Sequence, residues 1–219
     1  METNTLNSPE IANLLERLFN EADASEPALQ AVIDSGASQL LNSKTRYREL
    51  YGLLKEVPLP VSHETGQLLY MLTRSTRAQN VLEFGTSLGV STIYLAAALR
   101  DNGGGRVITT EFETSKAARA RENLKEAGLI DLVEIREGDA LETLATGLPE
   151  TVDLVLLDGA KSLYGDILQL LEGHLRPGSL VLADDARLSS DFVSLIRSDT
   201  QRYLSVPLAG DLEMSMRLS

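Results

Sequence analysis

Apolar positions near the N-terminus recur at helical spacing. In "SPEIANLLERLFNEA", Ile11, Leu14, Leu15 and Leu18 share one face, with Ser8 at the N-cap position and Pro9 at the first helical one. The same period predicts helices from Pro27 to about Leu41, from Thr45 to about Lys55 and from His63 to about Thr73, with Pro58 and Pro60 marking a break. From Asn80 onward the pattern changes. Short apolar runs, "NVLEFG", "RVITTE", "LVEIREG", "VDLVLLDG" and "SLVLADD", begin 20 to 27 residues apart, and "STIYLAAALRDN", "TSKAARARENLKEAG", "ALETLATG" and "YGDILQLLEGHL" between them read as helices. Strand, helix, strand at that spacing predicts an α/β fold, a doubly wound, mostly parallel sheet. The ending "RYLSVPLAGDLEMSMRLS" predicts two strands joined at Gly210 and Asp211, the last running antiparallel. After Asp185 the stretch "ARLSS" reads as a polar tail to its strand.

Composition narrows the function classes. The 219 residues carry a formal net charge of −12, which disfavours a nucleic-acid partner, because phosphate-driven binding needs a positive field. There is no cysteine, so disulfides, thiolate metal sites and a cysteine nucleophile are excluded together. No apolar run approaches the roughly 18–20 residues needed to span a bilayer, and the acidic N-terminal stretch lacks a signal-peptide core, so no membrane partner and a cytoplasmic location are expected.

"VLEFGTSLGVST" is a strand, a turn bearing Gly85 and Gly89, and a helix start at Ser91 or Thr92. Its spacing, E-x-G-x-x-x-G, is not the G-x-G-x-x-G of a dinucleotide loop, and Glu83 suits a ligand with a cationic group better than a pyrophosphate. Glu111 ends the second strand, where a carboxylate can accept both hydrogen bonds of a ribose diol. Asp139 ends the third, where it can meet an adenine amino group. Each acid alone reads equally as a surface residue, but three at successive strand ends point to a ligand in the crevice there.

The stretches "VLEFGTSLGVST", "VITTEFE" and "EGDALE" resemble the S-adenosylmethionine-binding core of class I methyltransferases. "VSHETGQLLYML", "VDLVLLDGAKSLYGDILQLLEGHLRPGSLVLADD" and "VPLAGDLEMSMRL" narrow the resemblance to the catechol and caffeoyl-CoA O-methyltransferase family, over roughly Leu54 to Ser219. The resemblance implies a Rossmann-like seven-stranded sheet with its last strand antiparallel. It implies S-adenosyl-L-methionine held by Glu83, Gly85, Thr86, Ser87, Gly89, Ser91, Glu111, Asp139, Ala140 and Asp158. Residues 56–219 then form the methyltransferase domain, and residues 1–55 a helical cap or dimerisation segment, whose apolar stripe favours a homodimer.

Asp158 ends the fourth strand, Lys161 follows three residues later, and Asp184 and Asp185 end the fifth. Neighbouring strands lie about 5 Å apart, so three carboxylates can converge on one hard divalent cation such as magnesium, manganese or calcium. The alternative is that Asp158 caps a turn and the pair is solvated. The resemblance implies metal ligation by Asp158, Asp184 and Asp185 and catalysis by Lys161 with Asp158. Asp185 stands where the family usually has Asn, and "DGAK" departs from its frequent Asp-Ala-Asp-Lys. Lys161 is either a base or, if it stays charged, an electrostatic partner.

The function expected is methyl transfer to a hydroxyl of a small phenolic molecule, probed against three alternatives. These are a tRNA hydroxyuridine methyltransferase, a cofactor-binding relative with altered or metal-independent chemistry, and a nicotinamide dehydrogenase, which the glycine spacing disfavours. His63 and His174 are read as residues of helix ends and Tyr164 as packing that coincides with the family's aromatic after the lysine.

Overall fold

The computed structural model describes residues 4–41 and 43–219. Helix α1 (Pro9–Ala24) starts where the sequence says, the Ser8 hydroxyl accepting from the Ile11 amide. α2 (Glu26–Asp34) ends well short of Leu41, because Gly36 takes a positive φ of 83° and closes the helix; a short 3-10 turn, Ala37–Leu40, follows. Next come α3 (Tyr47–Leu53) and α4 (His63–Ser75), the latter capped by Ser62 on the Thr65 amide.

The α/β portion runs β1 (Asn80–Phe84), α5 (Val90–Asp101), β2 (Arg106–Glu111), α6 (Thr114–Glu126), β3 (Val133–Glu137), α7 (Ala140–Thr143), β4 (Val152–Leu157), α8 (Tyr164–Leu171), β5 (Leu175–Ala183), α9 (Ser190–Ser198), β6 (Tyr203–Pro207) and β7 (Glu213–Arg217). The strand order is β3-β2-β1-β4-β5-β7-β6. β7 lies antiparallel to both β5 and β6, and the other pairs are parallel. The expected seven-stranded mixed sheet is therefore present. The polar stretch after Asp185 forms a 3-10 turn, Ala186–Leu188, and beyond it the residues without an assigned element form α9, whose Phe192 and Ile196, one helical turn apart, are buried under the sheet.

Strand alternation builds two cores, one on each face. Val81, Leu154 and Leu182 pack with α1, α4 and α5, while Leu82, Val155 and Val181 pack with α8 and α9. The apolar stripe of α1 is spent on the first core, with Ile11, Leu14 and Leu18 each 1% exposed. That stripe is covered within the chain, so it supplies no dimer surface. Among the described residues no helix is long and apolar enough to cross a membrane.

Candidate functional site

The β1–α5 turn is shaped by crowding as much as by ligand chemistry. Gly85 has φ of 104°, and a Cβ there would lie 2.6 Å from the Asp158 carbonyl oxygen. The Asp158 amide donates to the Phe84 carbonyl at 2.8 Å, and the Asp184 amide to the Leu157 carbonyl at 2.9 Å. Extension of the strand ladder thus carries Gly85, Asp158 and Asp184 to the same edge of the sheet. Gly89, with φ of 86°, starts α5 and packs against Ala120.

A cleft over these strand ends is lined by Gly85, Thr86, Ser87, Ser91, Glu111, Asp139, Ala140 and Asp158, eight of the ten residues expected to hold the cofactor. Gly89 and Glu83 are not on its wall. Glu83 points down into α5 instead, with Ser91, Thr92 and Thr109 donating to its carboxylate at 2.5, 2.5 and 2.6 Å. It has no exposed surface. Burial pushes its carboxyl up to about 7, although the three hydroxyls pull the other way. The reading of Glu83 as a direct partner for a ligand's cation is therefore corrected: it ties the turn to the first turn of α5.

Glu111 lines the cleft, anchored by the Ser87 and Glu113 amides at 2.7 and 2.8 Å. Burial raises its pKa, with the two amides and Lys116 opposing. Asp139 caps α7 through the Leu141 amide and also accepts from Tyr47 and Arg48, each at 2.5 Å. Burial works to raise its pKa and is outweighed by those donors, which hold it below the usual carboxylate value.

Tyr47, Arg48 and Tyr51 are site residues that sequence reasoning missed. They belong to α3, far from any strand end, and their signal was the unassigned run "RYRELY". The Arg48 guanidinium lies 5.9 Å from the Tyr47 ring centroid and 5.8 Å from that of Phe112. The Tyr51 hydroxyl donates to the Gly159 carbonyl at 3.0 Å, and burial pushes its pKa up to about 12.

A second cavity, about 490 Å³, opens beyond Asp158, between the sheet edge and α2, the 3-10 turn and α3. Asp158, Tyr51, Pro58, Leu59 and Pro60 line both spaces. At its inner end Lys161 Nζ bonds Asp158 Oδ1 at 2.9 Å and lies 3.3 Å from Asp185 Oδ2. The Lys161 side chain is only 8% exposed. Its burial lowers the pKa of its ammonium, but Tyr164, Asp158 and Asp185 together outweigh that and hold it well above the ordinary lysine value. Of the two roles left open for Lys161, this arrangement supports the charged partner.

Supporting contacts fix the cluster. Tyr164 donates to the Asp184 carbonyl at 2.8 Å, and the Ser189 hydroxyl to the Lys161 carbonyl at 2.7 Å. Asp185 has φ of 49°, a left-handed turn that leaves its side chain half exposed. Asp184 is half-buried, and burial, then the Asp158 charge, pushes its carboxyl up to about 7.

The three carboxylates do not converge as expected: among the described residues no group of three His, Asp or Glu side chains is assembled to hold a metal ion. Instead, the Lys161 ammonium stands between Asp158 and Asp185. The donor chemistry still fits a hard cation, since the donors are all oxygen and, once Asp158 and Asp184 are ionised, three carboxylates against one ammonium leave two negative charges uncompensated. His63 opens α4 and stacks on Phe19 at 3.6 Å between centroids, while His174 Nδ1 meets the Pro149 carbonyl at 2.7 Å. Neither lines the two cavities.

Comparison with known proteins gives this arrangement a context. Residues 82–186 match a family model described as a methyltransferase domain. A catechol O-methyltransferase from Niastella koreensis is 38% identical over 138 residues, 60% of this chain and 62% of that protein. One from Mycobacterium tuberculosis is 37% identical over 131 residues, 59% of each. The chain thus spans about three fifths of the length of these curated relatives. Among solved structures, the O-methyltransferase TomG from Streptomyces achromogenes, in complex with SAM, is 25% identical, with a TM-score of 0.66 over 84% of this chain and 90% of that one. Sheet order, domain match and relatives agree that the chain carries a methyltransferase domain and is similar to catechol O-methyltransferases and other O-methyltransferases.

Proposed function

We propose that this chain moves the methyl group of S-adenosylmethionine to a hydroxyl of a small phenolic, catechol-like molecule, assisted by a divalent cation. The observation that carries the reading is the shared wall: Asp158 lines both the cleft over the strand ends and the cavity beyond it. A donor in the first and an acceptor in the second meet at that residue. Glu111 offers its carboxylate to a ribose diol, Asp139 reaches the adenine end, and the Gly85 backbone leaves room for the remainder. The Lys161 ammonium favours the anionic form of an acceptor hydroxyl, whose proton passes to the surrounding carboxylates. That oxygen attacks the methyl carbon in line, the carbon–sulfur bond breaks, and sulfur leaves as a neutral thioether.

Asp158, Asp184 and Asp185 would hold the cation, which when bound lowers the pKa of a hydroxyl and orients it. The test is methyl transfer before and after a chelator, with magnesium or manganese added back. Loss and recovery are expected; full activity in excess chelator would remove the metal. A second reading then gains weight, in which Lys161 supplies the positive charge unaided, because its ammonium already bridges two of the carboxylates. An RNA acceptor fits poorly with a cavity whose walls are apolar and whose rim carries Asp23 and Glu26. Pairing of two copies is proposed through β6 and β7, where the cross-strand neighbours Leu204 and Met216 are 60% and 41% exposed. Sedimentation of wild type and Leu204→Asp checks it: the variant should be monomeric, and an unchanged mass would move the interface elsewhere.

A further inference from the structure

The cavity beyond Asp158 is chemically two-ended. At the inner end stand Asp158, Lys161, Asp184 and Asp185; the outer walls are Leu29, Val32, Ile33, Leu41, Leu54 and Leu188. Its size, about 490 Å³, belongs to pockets that take drug-sized ligands rather than a single ring. Helix α2 explains the apolar end. It carries Leu29, Val32 and Ile33 along one side, yet none of its residues is buried. Ile33 and Leu188, both lining the cavity, remain 46% and 43% exposed. Leu29 and Val32 pack in part against Leu50, Leu54 and Val57, so protein packing covers this stripe incompletely and leaves Ile33 open, and the stripe lines the same cavity as the site where the acceptor hydroxyl must lie. Among the described residues Lys161 is the sole cationic one on the cavity wall, which also carries the exposed acids Asp23 and Glu26.

We propose that the acceptor carries an uncharged apolar tail, running from its hydroxylated ring along α2 toward Ile33 and Leu188. This rests on the proposed methyl transfer for the identity of the ring, but the tail is argued from the cavity itself. Anionic extensions, such as the phosphates of a coenzyme A thioester, meet acids at the rim and no cation to pair with them. Each methylene buried against this wall strengthens binding by about fourfold.

The experiment is calorimetric titration of protein saturated with S-adenosylmethionine by catechol and its 4-methyl, 4-butyl and 4-hexyl derivatives, and by a 4-alkyl derivative ending in a carboxylate. Titrations are short and cold, and the thioether product of the cofactor replaces it where turnover intrudes. Affinity should rise at least about tenfold from 4-methyl to 4-butyl, and a terminal carboxylate should cancel the gain. Val32→Asp, on the half-exposed side of α2, should abolish the dependence on tail length. Affinity indifferent to tail length, or an undiminished dependence in Val32→Asp, would overturn the proposal. Tail-dependent binding without methylation of any catechol would leave it standing and refute the methyl-transfer reading instead.

Discussion

Although both its carboxylate oxygens accept from buried hydroxyls, burial makes Glu83 bind a proton more tightly in the folded chain than in the unfolded one. Burial moves its pKa from 4.5 to about 7. The folded value is the higher, so its contribution to stability is complete below pH 4.5 and is lost as the pH rises through 7. At about 1.4 kcal/mol per unit, raising the pH from 4 to 8 costs about 3 kcal/mol that Glu83→Gln does not incur. Denaturant unfolding of both proteins at the two pH values should show their difference shifting by that amount in favour of the glutamine variant; a pH-independent difference would contradict it. Asp158→Ala and Lys161→Ala should each lower kcat by about 100-fold or more, and Lys161→Ala, outside the cofactor cleft, should leave cofactor affinity, measured by calorimetry, little changed. Unaffected rates would take them out of the chemistry. Glu111, Asp139 and Asp158 were legible because a strand end fixes where a side chain lies. Glu83 misled because position along the strand does not reveal which face it takes, and its three hydroxyl partners are scattered over α5 and β2.

The element that the site depends on most is α3. Its Tyr47 and Arg48 close on Asp139, Tyr51 spans both cavities, and the cleft beneath is narrow, about 80 Å³. A molecule the size of an adenosine derivative needs several times that room, so side chains lining the cleft, Tyr47 and Tyr51 of α3 among them, must give way on binding. Hydrogen exchange across Tyr47–Leu53 should slow when the cofactor is added, as the helix settles on its ligand; unchanged exchange would dissociate α3 from the site. The β1–α5 turn is rigid by contrast. Gly85→Ala would drive a Cβ into the Asp158 backbone, and cofactor binding should fall below detection while Gly173→Ala, with open space around it and no positive φ, binds normally. The helices α1 and α4 were legible from apolar spacing, and α5, buried on all sides and without a side-chain cap, from its place between two strands. Helix α9 was not, because Phe192 and Ile196 are its only deeply buried residues, too few to mark a period after "ADDARLSS".

At the scale of the whole molecule, the two segments expected as separate domains share their cores. α1 packs into the same core as α4, α5 and one face of the sheet, while α2 and α3 wall the second cavity. Leu14→Ala in α1 should therefore destabilise the entire fold, by about 2–5 kcal/mol in a single unfolding transition, rather than free a cap. Two transitions would contradict a shared core. The sheet order was legible because regular strand spacing and right-handed crossovers leave few topologies. What lay beyond the sequence was the second cavity, since its walls come from α2, which begins a new helix after Ser25, and from the turn closed at Gly36. The account as a whole stands on Asp158 joining a methyl donor to a hydroxyl acceptor. S-adenosylmethionine labelled in its methyl group, incubated with the protein, catechol and magnesium, tests that junction most directly. The label should be found on a ring oxygen of catechol, whereas cofactor that binds but keeps its label would contradict the account.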